Sequence, residues 1–187
     1  MNMLIRSILA AFCLIVPAAV FGQAKQLPHG KITFTVPEAP WNFVLPSGGF
    51  TIGQQKLRPD GTAGYFLLTS EKNYLTASLW IEPAEECRTS RECRDLVYKT
   101  GNPAWGEYQD LVLSEIGDVS FFEFYRPAVQ GQPVKMLDMY AQFVRDDYWI
   151  NMHISKVLYR KADHVVFEDI VKSAAFETKA MPQQAAE

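Results

Sequence analysis

The segment that most constrains the fold is Val134 to Tyr159, where two alternating runs of apolar and polar residues flank the pair Asp146-Asp147. A period of two is typical of β-strands, and a two-residue polar turn between such runs predicts a β-hairpin. With this turn, Phe143 faces Ile150, Ala141 faces Met152 and Met139 faces Ile154, so that one face is apolar. A shift of one residue would scramble both faces. The pattern therefore favours this register.

The other face of the hairpin is polar and aromatic. It pairs Val144 with Trp149, Gln142 with Asn151, Tyr140 with His153 and Asp138 with Ser155. The candidate binding residues are Asp138, Tyr140, Gln142, Trp149, Asn151 and His153. Such a face commonly meets solvent or a covering loop, and a ligand or partner surface is the alternative. Hydrolysis through His153 is disfavoured, because Ser155 lies two residues away on the same strand and the two side chains stand nearly parallel.

The rest of the chain predicts more strands and two helices. Alternation indicates strands over 31–36, 50–57, 63–70, 73–81, 109–116 and 119–126, a possible edge strand over 41–45, and a loop over 127–133. Thr89 with Glu92 forms a capping-box pattern, and Gly101 suits the end of that helix. Asp163 as an N-cap and an apolar stripe predict a second helix over 164–175. Trp41 and Trp105 fall in expected loops, as recognition residues or as lids over the core.

These elements predict an α+β domain over residues 31–177. We expect an antiparallel sheet of six to eight strands, covered on both sides by the two helices and long loops. Residues 25–30 are expected to be a flexible segment. Residues 178–187 lose all periodicity and are expected to form a disordered tail.

The amino terminus resembles a secretory signal peptide. Arg6 is the only charged residue among the first 24, and an almost wholly apolar run follows it over 8–21. This run is shorter than the roughly 20 residues that a membrane-spanning helix needs, and the small residues Gly22 and Ala24 come next. We therefore expect residues 1–24 to be a signal peptide, cut after Gly22 or Ala24. The predicted location is periplasmic or secreted, and an uncleaved anchor is the alternative.

Cysteine usage fits that location. Cys13 lies within the leader, where the bulky Phe12 before it disfavours lipid attachment, and its removal leaves the pair Cys87 and Cys93. In an oxidising compartment such a pair predicts a disulfide bond. A two-thiolate metal site would need two more ligands, and no His or Cys lies nearby in the sequence. Because the loop is short, the bond should contribute only on the order of 2 kcal/mol by restricting the unfolded chain, so we expect it to pin a local turn and not the whole domain.

Composition and motifs exclude several function classes. The formal net charge is −3 with scattered charges, which argues against nucleic acid or an anionic membrane as the partner. No second apolar stretch is long enough for a stable membrane span after cleavage. The sequence has no nucleophile elbow, phosphate loop, His-Glu-x-x-His motif or dinucleotide fingerprint. We therefore predict no metal and no cofactor.

A resemblance adds to this interpretation. The run Tyr148 to Lys156, followed by Asp163, Phe167, the string from Ile170 to Ser173, and Phe176, is similar to the closing strand and helix of the PsbP/Mog1/DcrB-like superfamily. The string Phe34-Thr35-Val36-Pro37 ahead of Trp41 is similar too. The resemblance implies an α/β/α sandwich and a mostly non-enzymatic scaffold. Members include photosystem accessory subunits, binding proteins and bacterial envelope proteins. No functional residue carries over from it.

The predicted function is an exported, non-enzymatic binding or protein-interaction module of the bacterial cell envelope. Its partner would be another envelope protein or a small ligand. The alternatives are an extracytoplasmic hydrolase that uses His153, and a structural envelope component.

Overall fold

A computed structural model of the chain describes residues 23–101 and 106–179. The strands are β1 (Ala24–Leu27), β2 (Lys31–Thr35), β3 (Trp41–Pro46), β4 (Thr51–Leu57), β5 (Gly64–Ser70), β6 (Leu75–Pro83), β7 (Gln109–Ile116), β8 (Val119–Val129), β9 (Gln132–Arg145), β10 (Tyr148–Lys156) and β11 (Ala175–Thr178). The helices are α1 (Ser90–Thr100) and α2 (His164–Ser173). No helix among these described residues is long and apolar enough to cross a membrane.

The larger sheet contains seven antiparallel strands in the order β4-β5-β6-β10-β9-β8-β7. Its centre is the hairpin of β9 and β10, which has the predicted register, with Phe143 opposite Ile150 and Tyr140 opposite His153. Asp146 and Asp147 form the turn with φ values of 48° and 60°. Both therefore adopt the left-handed conformation that a tight hairpin turn requires and that aspartate tolerates.

The smaller sheet contains four strands in the order β1-β2-β3-β11 and packs on one face of the larger sheet. We call that face of the larger sheet the inner face and the opposite one the outer face. The core between the sheets contains fully buried Phe34, Phe43, Phe66, Leu79 and Met139. Burial of each large apolar side chain contributes about 1.5–3 kcal/mol, so this interface is the main source of stability.

The two helices lie on opposite faces of the larger sheet. Phe167 of α2 is buried in the core between the sheets, whereas α1 packs its Val97 and Tyr98 against Phe122 and Phe124 on the outer face. The predicted α+β fold of sheet and helices is thus confirmed. The second sheet, however, takes the place that we expected long loops to fill on the inner face.

The start of α1 has the predicted local structure. The Thr89 side chain accepts a hydrogen bond from the Glu92 backbone N–H, and the Glu92 carboxylate accepts one from the Thr89 N–H. Cys87 and Cys93 form a disulfide with their Cα atoms 5.1 Å apart. The capping box and the disulfide are therefore both confirmed, and together they fix where the helix begins.

Two sequence-based assignments of loops were wrong. Residues 127–133, expected to be a loop, belong mostly to β8 and β9, which meet at a turn of Gln130 and Gly131. Pro127 is tolerated because it coincides with the shift in register between Arg126 and Ala128. Trp41 is not a loop residue: it begins β3, pairs with Thr178 of β11, and is 4% exposed.

The domain also extends beyond the expected boundaries. Residues 24–27, most of which were expected to be flexible, form β1 and pair with β2. Ala24 is 6% exposed, and its N–H donates to Gln55 Oε1 at 2.8 Å. At the other end, Lys179 donates to the backbone carbonyls of Val36 and Pro37, and burial lowers the pKa of its ammonium group. The expectations for residues 1–22, Trp105 and residues 180–187 lie outside the described residues.

Candidate functional site

The outer face of the larger sheet carries the candidate site. Helix α1 contacts β8 and β9 on this face, whereas side chains of β5, β6 and β10 remain half-buried or exposed. Trp80 of β6 is 48% exposed, with Tyr65 of β5 and Asn151 of β10 directly opposite it. The rings of Tyr65 and Trp80 lie 4.9 Å apart. We call the group Tyr65, Trp80, Trp149, Asn151 and His153 the Trp80 surface.

A buried ion pair supports one end of this surface. Asp138 is fully buried, and its carboxylate accepts two hydrogen bonds from Arg126, from Nε at 2.6 Å and from Nη2 at 2.9 Å. His153 Nε2 lies 2.7 Å from Asp138 Oδ1. The paired geometry of guanidinium and carboxylate is the strongest form of protein hydrogen bond. The pair therefore holds the His153 imidazole from within the sheet.

Stacked rings hold the same imidazole from the side. The Tyr140 ring lies 4.2 Å from that of His153 with an angle of 8° between their planes. Phe122 stacks on the other side of Tyr140 at 4.9 Å, and Tyr98 of α1 contacts Phe122 edge-on at 5.7 Å. This row of rings connects α1 with β10. His153 consequently has little freedom to rotate.

A second polar network orients Trp149. Its Nε1 donates to Gln142 Oε1 at 2.7 Å, and Gln142 Nε2 donates to Asn151 Oδ1 at 3.1 Å. Gln142 is fully buried, so both bonds are shielded from water. The indole of Trp149 and the amide of Asn151 are thus held in fixed positions at the surface.

All six predicted binding residues lie on the outer face. Asp138 and Gln142 are fully buried and contact only their neighbours within the protein. The other four, Tyr140, Trp149, Asn151 and His153, are half-buried. No hydrogen bond joins His153 to Ser155, although both residues are described. Binding by any of the six stays a prediction.

Comparison with known proteins gives a match at the level of structure. No protein-family model matches the chain, and no curated protein matches it. The solution structure of cyanobacterial PsbP (CyanoP) from Synechocystis superposes with a TM-score of 0.50, covering 78% of this chain and 92% of that one. The chain has a PsbP-like fold. The predicted resemblance is thereby confirmed at the level of fold, and 11% sequence identity shows the fold alone.

Sequence reasoning missed three parts of the site in this PsbP-like domain. Arg126 was placed at the end of a strand before an expected loop, and its pairing with Asp138 was not foreseen. Trp80 was assigned to a sheet that was expected to be covered on both faces, but its side chain is exposed. The pairing of Trp80 with Asn151 follows from the position of β6 beside β10. No local pattern in the sequence predicts that these two strands are neighbours.

The third missed part is an acidic cavity at the end of the Trp80 surface. It has a volume of about 240 Å³ and is lined by Arg58, Glu82, Pro83, Glu85, Glu86 and Trp149. Burial raises the pKa of Glu82; Arg58 opposes this rise, and the neighbouring Glu85 and Glu86 add to it. Arg58 Nη2 lies 3.8 Å from Glu82 Oε2. Among the residues that the structure describes, no group of three or more His, Cys, Asp or Glu side chains could hold a metal ion.

Proposed function

We propose that this chain is an exported binding module that recognises a partner protein through the Trp80 surface. The observation that carries the proposal is the 48% exposure of Trp80 on a sheet face whose other rings are held in fixed positions. Tryptophan is enriched at protein interfaces and among the few residues that dominate their binding energy. A rigid aromatic side chain also loses little conformational entropy on binding.

A protein partner suits this surface better than a small ligand. Pockets for organic ligands commonly have volumes of about 300–1,000 Å³ and enclose most of the ligand. The cavity beside Trp149 has about 240 Å³, and Trp80 itself stands on an open sheet face. A flat surface with a small cavity at its edge matches the shape of a protein docking site.

A hydrolase is less consistent with the geometry. Its histidine needs one nitrogen for the nucleophile and the other for an orienting carboxylate. His153 Nε2 is directed to Asp138, which meets the second requirement, although that carboxylate is shared with Arg126 in a buried ion pair. The first requirement is not met among the described residues. Ser155 is not bonded to His153. These contacts favour a fixed, non-catalytic position for His153 within the Trp80 surface.

Export is supported by the leader and by the cysteine pair. Cys87 and Cys93 are bonded, as expected for a protein of an oxidising compartment. Strand β1 begins at Ala24, so a cut after Gly22 would leave the whole strand in the exported protein. A non-enzymatic binding module is also consistent, in general terms, with the PsbP-like fold.

Photo-crosslinking in the organism that encodes the chain tests the proposal. Trp80 is replaced by benzoyl-phenylalanine, and the exposed Asp169 of α2 is replaced in a matched control. We expect one discrete protein adduct after irradiation of the first variant and none with the second. The proposal is overturned if position 80 gives no adduct, or if both positions give the same adducts.

A further inference from the structure

The acidic cavity has more negative than positive charge within it. Three carboxylates, those of Glu82, Glu85 and Glu86, line it together with the single guanidinium of Arg58. Arg58 is itself shared, since its Nη1 also donates to Thr62 Oγ1 at 3.2 Å. One cation therefore opposes three anions, and the cavity attracts positive charge.

The carboxylates of Glu38 and Asp60 extend this negative potential along the same end of the sheet. Tyr148, which precedes Trp149 on β10, has a raised phenol pKa, first because of burial and then because of Glu38 and Asp60. Arg88 also lies at this end, but it forms an ion pair with Asp147 at 3.3 Å. Arg145, opposite Tyr148 on β9, likewise lies 3.6 Å from a carboxylate, that of Asp146. Neither arginine therefore cancels the charge of Glu38 and Asp60.

The indole of Trp149 forms one wall of the cavity. Its position is fixed by the hydrogen bond to Gln142, so the ring does not need to reorient to meet a ligand. Tryptophan is the side chain whose ring face attracts cations most strongly. An aromatic ring and carboxylates that line one cavity favour an organic cation over a neutral or anionic group.

Glu82 is held in the cavity at a cost in stability. Its carboxylate is partly shielded from water, and Arg58 approaches it only to 3.8 Å. A second cation placed between Glu82 and Glu85 would relieve both the loss of hydration and the repulsion between the carboxylates.

We propose that the partner protein presents a lysine- or arginine-bearing segment, and that one of its cationic side chains enters the cavity between Trp149, Glu82, Glu85 and Glu86. This inference rests on the proposed function and adds the chemistry of the partner. A side chain that ends in an ammonium or guanidinium group fits a cavity too small for a typical organic ligand. Lysine and arginine side chains can also lay their apolar stems along the indole.

A peptide titration tests the inference. The probe is the capped peptide acetyl-Gly-Ser-Lys-Tyr-Arg-Ser-Gly-amide, and its neutral analogue carries norleucine and citrulline in place of Lys and Arg. Binding to the exported form is followed by the indole N–H signal of Trp149 in ¹H–¹⁵N spectra, assigned by its loss in Trp149→Phe. We expect a saturable shift with the basic peptide, a weaker affinity at high salt, and no shift with the neutral analogue.

Charge-removing variants give the decisive comparison. The triple variant Glu82→Gln, Glu85→Gln and Glu86→Gln should bind the basic peptide at least tenfold more weakly, because it keeps the shape of the cavity and removes the charge. The double variant Glu85→Gln and Glu86→Gln repeats the comparison at exposed positions if the triple variant folds poorly. The inference is overturned if the basic peptide does not bind to the original protein. It is also overturned if the variants bind the basic peptide as tightly as the original protein does, or if the original protein binds the neutral analogue as tightly as the basic peptide.

A matched control separates local from overall charge. The substitutions Glu71→Gln, Asp110→Asn and Asp169→Asn remove three exposed carboxylates elsewhere on the molecule, and peptide affinity should stay within twofold. Crosslinking from position 80 in the triple Gln background distinguishes the two proposals. An undiminished adduct there leaves the proposed function standing and refutes the basic partner. Peptide binding without any adduct refutes the proposed function instead.

Discussion

Replacing Asp138 with alanine should destabilise the domain strongly, although the residue lies on the same sheet face as the proposed binding surface. Asp138 is fully buried and accepts bonds from Arg126 and His153. Its removal takes away the carboxylate that neutralises the guanidinium of Arg126, which is only 9% exposed. A buried charge cannot regain its hydration without opening the structure, so the cost falls on the folded state.

The magnitude follows from comparable buried pairs. Removal of one partner of a buried ion pair costs about 3–5 kcal/mol, a large part of the roughly 5–15 kcal/mol that stabilises a typical domain. For a domain of this length each kcal/mol corresponds to about 2–4 °C in melting temperature. Asp138→Ala should therefore lower the melting temperature by about 6–20 °C. Asp138→Asn keeps the shape of the side chain and one acceptor oxygen, so its melting temperature should lie between those of the original protein and Asp138→Ala.

Urea unfolding followed by far-UV circular dichroism measures the loss directly. The control is the double variant Arg126→Met with Asp138→Leu, which replaces the ion pair by apolar side chains and should lose less than half of what Asp138→Ala loses. A loss below about 1 kcal/mol for Asp138→Ala would refute the reasoning. So would a double variant that is less stable than the single one.

Three further outcomes test other parts of the structure. The double substitution Cys87→Ser and Cys93→Ser should cost about 2 kcal/mol, because the disulfide closes a short loop, and hydrogen exchange should accelerate at the start of α1 while the sheet is unaffected. Glu82→Gln should raise the melting temperature at pH 7, because the raised pKa of Glu82 means that its ionisation destabilises the fold. This gain in melting temperature should decrease as the pH falls through the raised pKa. It should be absent below the ordinary value of 4.5, where Glu82 is protonated in the folded and the unfolded chain alike. Mass spectrometry of the exported protein should show cleavage after Gly22 and not after Ala24, because Ala24 is buried in β1 and bonded to Gln55.

The sequence predicted those elements whose signals are local. The register of the β9–β10 hairpin was predicted because alternation on both strands and the turn at Asp146 and Asp147 agree with one another. The start of α1 was predicted because Thr89 and Glu92 are only three residues apart. In each case the interacting groups lie close together in the chain, so the pattern that specifies the contact can be read directly.

The second sheet was missed because two of its strands are short and one of its three pairings is distant in sequence. Strand β11 pairs Ala175 with Val44 and Phe176 with Phe43, although the two strands lie at opposite ends of the domain. Both β11 and β1 have only four residues, too few for a periodic pattern to emerge. The burial of Trp41 follows from this pairing and was therefore missed as well.

The sequence predicted that the candidate site residues share one face of the sheet. It did not predict which of their side chains are buried and which are exposed. Sequence alternation placed Asp138 and Trp149 together, and the structure agrees. That Asp138 is fully buried depends on Arg126, whose strand was expected to end before a loop. That Trp80 is exposed depends on where α1 ends on the sheet, which is a property of packing.

The buried polar groups of the outer face require an explanation beyond stability. A buried ion pair can often be replaced by apolar side chains without loss of stability, yet this face retains two networks, and each ends at a half-exposed ring, His153 for one and Trp149 for the other. The networks fix these rings before any partner arrives, so their conformational entropy is lost during folding and not during binding. The Arg126→Met and Asp138→Leu double variant therefore tests stability and recognition together. If the networks serve recognition, it should fold nearly as well as the natural protein and still give less adduct from position 80.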